Sequence, residues 1–262
     1  MTAQHPAVAG AEPFAADGHG DTGRVGVLVS HGFTGSPVSM RPWADSLAAI
    51  GYTVRLPVLP GHCSTWQELD KTRWTDWYAE IRRAYAELDE RCDVIFACGL
   101  SLGGALVLKL AEDLGPTAKL AGLVLVNPAI ATMRKDAGLA KYLARVIRSR
   151  PGLGNDIKKA GVDEYCYDRT PLKPLVSMMQ MWRLVVADLA EITVPVLLYR
   201  STTDHVVDPL SAKLLHAGAT STTVTEVPLP NSYHVATLDN DAELIFTGAA
   251  DFIREHVGAG RP

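Results

Sequence analysis

Between positions 25 and 130, short apolar runs alternate with segments whose apolar residues recur at helical spacing. "RVGVLVSHG" reads as a buried strand entering a glycine-containing loop. "SMRPWADSLAAIG" reads as a short helix closed by Gly51, in the C-terminal position that glycine favours. "YTVRLPVL" is the next strand, and "TDWYAEIRRAYAELDER" is a helix with Trp77, Ile81, Tyr85 and Leu88 on one face. A strand over 93–98 then leads into a helix whose buried face holds Ala105, Leu106, Leu108, Leu110, Ala111 and Leu114, followed by the strand "LAGLVLVNPA". Strands that are almost wholly apolar and alternate with helices predict an α/β protein with a mostly parallel sheet covered by helices on both faces.

From about Ile130 to Ile192 the alternation stops, and the pattern predicts two helical stretches around a Pro/Gly-containing middle, with no strand. It resumes with the strand "VPVLLYR", the helix "PLSAKLLHAGA", the strand "TTVTEVPL" and a final helix from about Asp241 to Val257. A helical insertion at that point is expected to cap the C-terminal ends of the strands, where such sheets take their ligands. The expected organisation is a flexible tail over 1–23, a core of 24–129 and 193–262, and a helical cap over 130–192.

Composition narrows the partners. A chain of 262 residues with 47% hydrophobic content is long enough for one sizeable core, or a core with a small inserted unit. With 25 Lys+Arg against 29 Asp+Glu the formal charge is −4, so no overall basic field gathers nucleic acid or anionic lipid, and any membrane contact would be local. The first 23 residues lack a basic start followed by an apolar stretch, so no secretory signal is expected, and no apolar run approaches the length of a bilayer span. Cys63, Cys92, Cys98 and Cys166 show neither C-x-x-C spacing nor a neighbouring His pair. A reduced, cytoplasmic protein without metal or cofactor is the expectation.

The chemistry is expected at a strand-to-helix corner. Gly99-Leu100-Ser101-Leu102-Gly103 is the G-x-S-x-G pattern, in which a strained turn lifts the serine Oγ off the sheet edge and the following helix points its N-terminal N–H groups at the same place. A serine hydroxyl becomes a useful nucleophile when a histidine takes its proton and an acid orients that histidine. In this architecture the acid follows a later strand, where "STTDHVVDPL" offers Asp204 and Asp208. Asp208 precedes Pro209 and a helix, so its carboxylate already has a capping task; Asp204 is nearer the strand end and is preferred. His234, in "NSYHVATLDND", lies in the loop after the last strand and is the expected base, with His205 beside the acid as a competitor. His31 and His62 precede the serine and are expected to be satisfied by loop hydrogen bonds. The donors for a tetrahedral oxyanion are expected to be the backbone N–H of Leu102 and that of Phe33, flanked by Gly32 and Gly35 in "SHGFTGSP".

Together "HGFTGSP", "GLSLGG", "DHVV" and "NSYHVATLDND" resemble the bacterial monoacylglycerol lipases and related carboxylesterases of the α/β-hydrolase fold, from about Gly23 to the C-terminus. The resemblance implies Ser101, Asp204 and His234 as triad and Phe33 and Leu102 as oxyanion donors. Where relatives commonly read Gly-His-Gly this chain has Gly61-His62-Cys63, and "MRKDAGLAKYLARVIRSR" in the cap matches no recognised family pattern.

Two cap stretches carry further expectations. "PLVSMMQMWRLVVADL" places Met178, Met179 and Met181 beside Trp182, either to pack the cap onto the core or to line an adaptable acyl pocket. The earlier stretch sets Lys135, Lys141, Arg145, Arg148 and Arg150 around Leu139, Leu143, Val146 and Ile147, as a solvated face or as a transient contact with an anionic lipid surface. Glu164, in "GVDEYCYDRTP", is a candidate acceptor for the two free hydroxyls of a monoacylglycerol, and the resemblance aligns a cap glutamate there; a surface carboxylate paired with Lys158 or Lys159 is the other reading. The expected function is a serine hydrolase cleaving carboxylic esters, monoacylglycerols foremost, through an acyl-enzyme. A short-chain carboxylesterase and an acyltransferase with the same triad are the alternatives, beside a binding module that has lost turnover.

Overall fold

The parallel sheet follows from strands that bury both faces. In the computed structural model, which describes residues 9–134, 138–152 and 154–258, every residue of β2 (Val25–Ser30), β4 (Val94–Leu100) and β5 (Leu120–Val126) is buried. With β1 (Phe14–Ala16), β3 (Thr53–Leu56), β8 (Val196–Ser201) and β9 (Val224–Leu229) they form a seven-stranded sheet in the order β1-β3-β2-β4-β5-β8-β9. All neighbours are parallel except β1, which runs antiparallel to β3.

Side chains alternate between two apolar layers. Leu28, Ala97 and Leu125 point to the layer made with α2 (Trp66–Leu69), α3 (Trp74–Asp89), α4 (Leu102–Leu114) and α7 (Leu210–Gly218). Val27, Phe96 and Val124 point to the layer made with α1 (Arg41–Ala49) and α8 (Ala242–His256), where Trp43 and Phe252 are buried. Because the strands are parallel, the loops after β2, β4, β8 and β9 all open at one edge, and these loops carry Phe33, Ser101, Asp204 and His234 respectively.

Three expectations are corrected. The tail expected over 1–23 is ordered in its described part: Phe14, Ala15 and Ala16 pair with Leu56, Arg55 and Val54, and Arg55 donates to Ala16 O (3.1 Å) and Asp17 Oδ1 (2.7 Å). Three residues carry no detectable period, and the strand exists because the β3 edge supplies its backbone partners. The insertion between β5 and β8 is not purely helical, since Ser149–Pro151 (β6) and Arg169–Pro171 (β7) form an antiparallel ribbon. Its first helical stretch is reduced to the single turn of α5 (Ala140–Leu143), whereas α6 (Leu172–Asp188) matches the second. Lys135 lies outside the described residues.

Candidate active site

Ser101 sits at φ 55° and ψ −115°, a left-handed conformation that is strained for any residue with a Cβ. Its N–H still donates to Val126 O in strand fashion (3.1 Å), and one residue later α4 begins. The corner closes only because the flanking positions are glycine. A Cβ on Gly103 would stand 2.2 Å from Ser30 O, and one on Gly99 would stand 2.5 Å from the Gly103 backbone. A Cβ on Gly32 would lie 3.5 Å from Ser101 Cβ, so the loop after β2 passes directly beside the serine.

Asp204 and His234 meet across the edge. His234 Nδ1 lies 2.8 Å from Asp204 Oδ2, and both side chains are nearly buried. Asp204 Oδ1 accepts the N–H groups of Val206 and Val207, each at 2.8 Å. Burial works to raise the Asp204 carboxyl, but the facing imidazole and these N–H groups prevail and hold it below its ordinary value. For His234 burial works downward, and the Asp204 charge and hydrogen bond outweigh it, so the imidazole titrates above its ordinary value. With Nδ1 engaged, Nε2 is the nitrogen left for proton transfer, and His234 and Ser101 line the same cavity.

The loop after β2 is held from behind by two buried histidines, as expected of His31 and His62. His62 Nε2 accepts the Thr34 N–H (3.2 Å) and His31 Nε2 accepts the Leu59 N–H (3.1 Å), so both rings serve as neutral acceptors. Burial, the largest influence on each, drives both well below the ordinary histidine range. Phe33 packs its ring against Trp77 with centroids 5.5 Å apart, and it lines the cavity. Leu102 is the first residue of α4, so its N–H has no acceptor within the helix.

The sequence matches the family described as Serine aminopeptidase, S33 (Hydrolase_4) over residues 22–241. The chain belongs to this family. It is 40% identical over 258 residues to a thermostable monoacylglycerol lipase of Bacillus sp. (strain H-257), covering 98% of this chain and all of that protein. It is 28% identical to a carboxylesterase of Bacillus subtilis (strain 168), covering 87% of this chain and 92% of that one. Among solved structures, one reported in a study of the metagenome-derived lipolytic enzymes LipS and LipT superposes with TM-score 0.89 at 40% identity, covering 96% of this chain and all of that one. The monoacylglycerol lipase of Paleococcus ferrophilus shares the fold, with TM-score 0.74 at 23% identity and 93% and 97% coverage. The fold is the α/β-hydrolase fold.

In this hydrolase the cap roofs a cavity of about 240 Å³ over Ser101 and His234. Met178, Met179, Leu175 and Trp182 of α6 line it, whereas Met181 is fully buried in the core, so the methionine stripe both borders the cavity and packs the cap onto the core. Glu164 is 7% exposed and lines the cavity too. Its Oε1 accepts the Asn155 N–H (2.5 Å), its Oε2 faces Gly35, and burial raises its carboxyl above the ordinary value. It does not pair with Lys158 or Lys159, whose N–H groups go to Asp239. Asp208 braces the cap instead, accepting the N–H groups of Leu210 (3.0 Å) and Met133 (2.6 Å).

Sequence reasoning missed Asn127, at φ 44° just past β5. Its Nδ2 donates to Ser201 Oγ (2.9 Å) and His234 O (2.8 Å), and its Oδ1 accepts the Ser201 N–H (2.8 Å). An asparagine before a proline at a strand end was the available signal. Among the described residues no group of His, Cys, Asp and Glu is arranged to hold a metal ion, and no helix is long and apolar enough to cross a membrane.

Proposed function

We propose that this serine ester hydrolase cleaves monoacylglycerols to glycerol and fatty acid through an acyl-enzyme on Ser101. Ser101 Oγ attacks the ester carbonyl while His234 Nε2 takes its proton, and Asp204 balances the imidazolium. The tetrahedral oxyanion is received by the N–H groups of Phe33 and Leu102. Collapse expels the glycerol alkoxide, which takes the proton back from His234. Water then attacks the acyl-enzyme by the same route and releases the fatty acid. One observation carries the substrate choice: among the described residues, the cavity joins an apolar wall of methionine, leucine and tryptophan to a single buried carboxylate, Glu164. The apolar wall suits an acyl chain. An ionised carboxylate suits the two hydroxyls that a monoacylglycerol offers and a simple alkyl ester lacks. The 40% identity to a monoacylglycerol lipase over nearly the whole chain supports the same reading.

The outer cap supports a transient membrane contact. Val146 is 81% exposed and Leu139 57%, and Lys141 and Arg145 are exposed beside them, which suits an anionic lipid surface. The four cysteines are free thiols, in keeping with a cytoplasmic setting.

The test of the nucleophile is Ser101→Ala assayed on a monoacylglycerol, beside covalent labelling by a serine-directed phosphonate. Both turnover and labelling are expected to vanish while the thermal midpoint stays within a few degrees. Labelling that persists in Ser101→Ala would refute the assignment.

A further inference from the structure

Between Gly154 and Val162 the cap descends onto the core, and its polar atoms there are spent on the two loops that carry Asp204 and His234. The Asp156 carboxylate, with its side chain 14% exposed, accepts the backbone N–H of His234 through Oδ2 (3.2 Å). The same oxygen accepts the backbone N–H of His205 (3.1 Å), the residue after Asp204, and Oδ1 meets the His205 ring at Nδ1 (2.8 Å). The Asp156 carbonyl accepts the Val235 N–H (3.1 Å). One cap residue therefore spans the loop of the acid and both peptides around the base. The brace is answered from the core side. Asp239, 2% exposed, accepts the N–H groups of Lys158 (2.7 Å), Lys159 (2.9 Å) and Tyr233 (2.9 Å), closing the cap segment and the His234 loop into one unit.

The next link leads to the cavity. Asn155, immediately before Asp156, gives its N–H to Glu164 Oε1, and its own Oδ1 accepts the Glu164 N–H (3.0 Å). Asn155 stands at φ 62°, the turn that lets neighbouring peptides serve opposite sides.

We propose that Asp156 is a positioning residue for the hydrolytic reaction: by holding the His205 and His234 peptides together it fixes the imidazole against Asp204, and through Asn155 it ties that geometry to Glu164. The inference rests on His234 being the general base. Removing the carboxylate leaves the imidazole in a fold that still closes, with its backbone no longer held at the distance Asp204 requires. Misplacement of a reacting group by about an ångström costs on the order of 100-fold in rate.

Charge gives a second readout that packing alone would not move. The carboxylates acting on His234 are Asp204 from the loop after β8, and Glu164 and Asp156 from the cap, and each favours the imidazolium. Loss of Asp156 removes one of the three, so the acid limb of the rate profile moves to lower pH.

The experiment compares wild type, Asp156→Ala and Asp156→Asn, with active sites counted by phosphonate burst and kcat, KM and the pH profile of kcat/KM measured on a monoacylglycerol. Asp156→Ala is expected to lower kcat per titrated site 10- to 100-fold with KM within about threefold, and to displace the acid limb downward. Asp156→Asn, which keeps an acceptor oxygen and loses the charge, is expected to recover most of kcat and still show the displaced limb. Unchanged kcat per titrated site and an unmoved limb in Asp156→Ala would overturn the proposal. Should that variant fail to fold, an unmoved limb in Asp156→Asn overturns it equally. Failure of the parent reading looks different: His234→Ala would then keep the wild-type rate of phosphonate labelling and of turnover.

Discussion

Glu164→Ala tests whether the cap carboxylate is the glycerol acceptor. Glu164, which lines the cavity, has one oxygen committed to the Asn155 N–H and the other beside Gly35. A hydroxyl donating to an ionised carboxylate contributes about 1.5–3 kcal/mol. Loss of one such bond therefore costs about 10- to 150-fold, at 1.4 kcal/mol per factor of ten. The assay is kcat/KM for a monoacylglycerol against kcat/KM for a p-nitrophenyl ester of the same acyl chain. Glu164 also helps hold the His234 proton, so the comparison is made above the acid limb of the rate profile of both wild type and variant. The expected outcome is a loss of at least tenfold on the monoacylglycerol and less than threefold on the p-nitrophenyl ester. Glu164→Gln controls for the Asn155 bond: it preserves shape and one acceptor, and should fall between wild type and alanine. The pH dependence has a definite sign. Burial raises the Glu164 carboxyl, so it protonates at a higher pH than an ordinary glutamate, and the preference for monoacylglycerol should decline as pH falls through that raised value. Equal losses on both substrates, or none on either, would refute the role.

The two carboxylates after β8 should separate cleanly. Asp204→Asn is expected to lower kcat by roughly 10³–10⁴, because His234 loses the partner that fixes its tautomer, and to bring the acid limb of the profile down. Asp208→Asn, which touches only the start of α7 and of the cap, should cost about 1–2 kcal/mol of stability with kcat within threefold, read by urea melts and steady-state rates. An exchange of the two phenotypes would refute the choice of acid. On the cap surface, Val146→Asp should leave the thermal midpoint and p-nitrophenyl ester hydrolysis unchanged and weaken sedimentation with anionic vesicles by about tenfold or more, from a burial gain of roughly 1.5 kcal/mol together with the added charge. Equal vesicle binding by wild type and variant would exclude the outer cap as the contact.

What the sequence reveals of this site, and what it hides, divides along a physical line. The alternation of apolar strands and amphipathic helices is legible because each element buries a stripe of its own, and parallel strands then force the loops with Phe33, Ser101, Asp204 and His234 to one edge. G-x-S-x-G is legible for a local reason as well: a Cβ on Gly103 would meet the Ser30 carbonyl at 2.2 Å. The strand at Phe14–Ala16 and the ribbon at 149–151 and 169–171 are not legible, because elements of three residues have no period and are held by partners distant in the chain. The same holds for Asp156, Asn127 and Asp239. Each is a short polar residue in a loop, read in isolation as turn chemistry, yet each hydrogen-bonds the His234 loop, and Asp156 and Asp239 each also join cap to core across more than 70 residues. Residues that perform chemistry advertise themselves through the backbone they need nearby. Residues that hold them in place are chosen by tertiary proximity, so the supporting layer of an active site becomes visible only once the chain is folded.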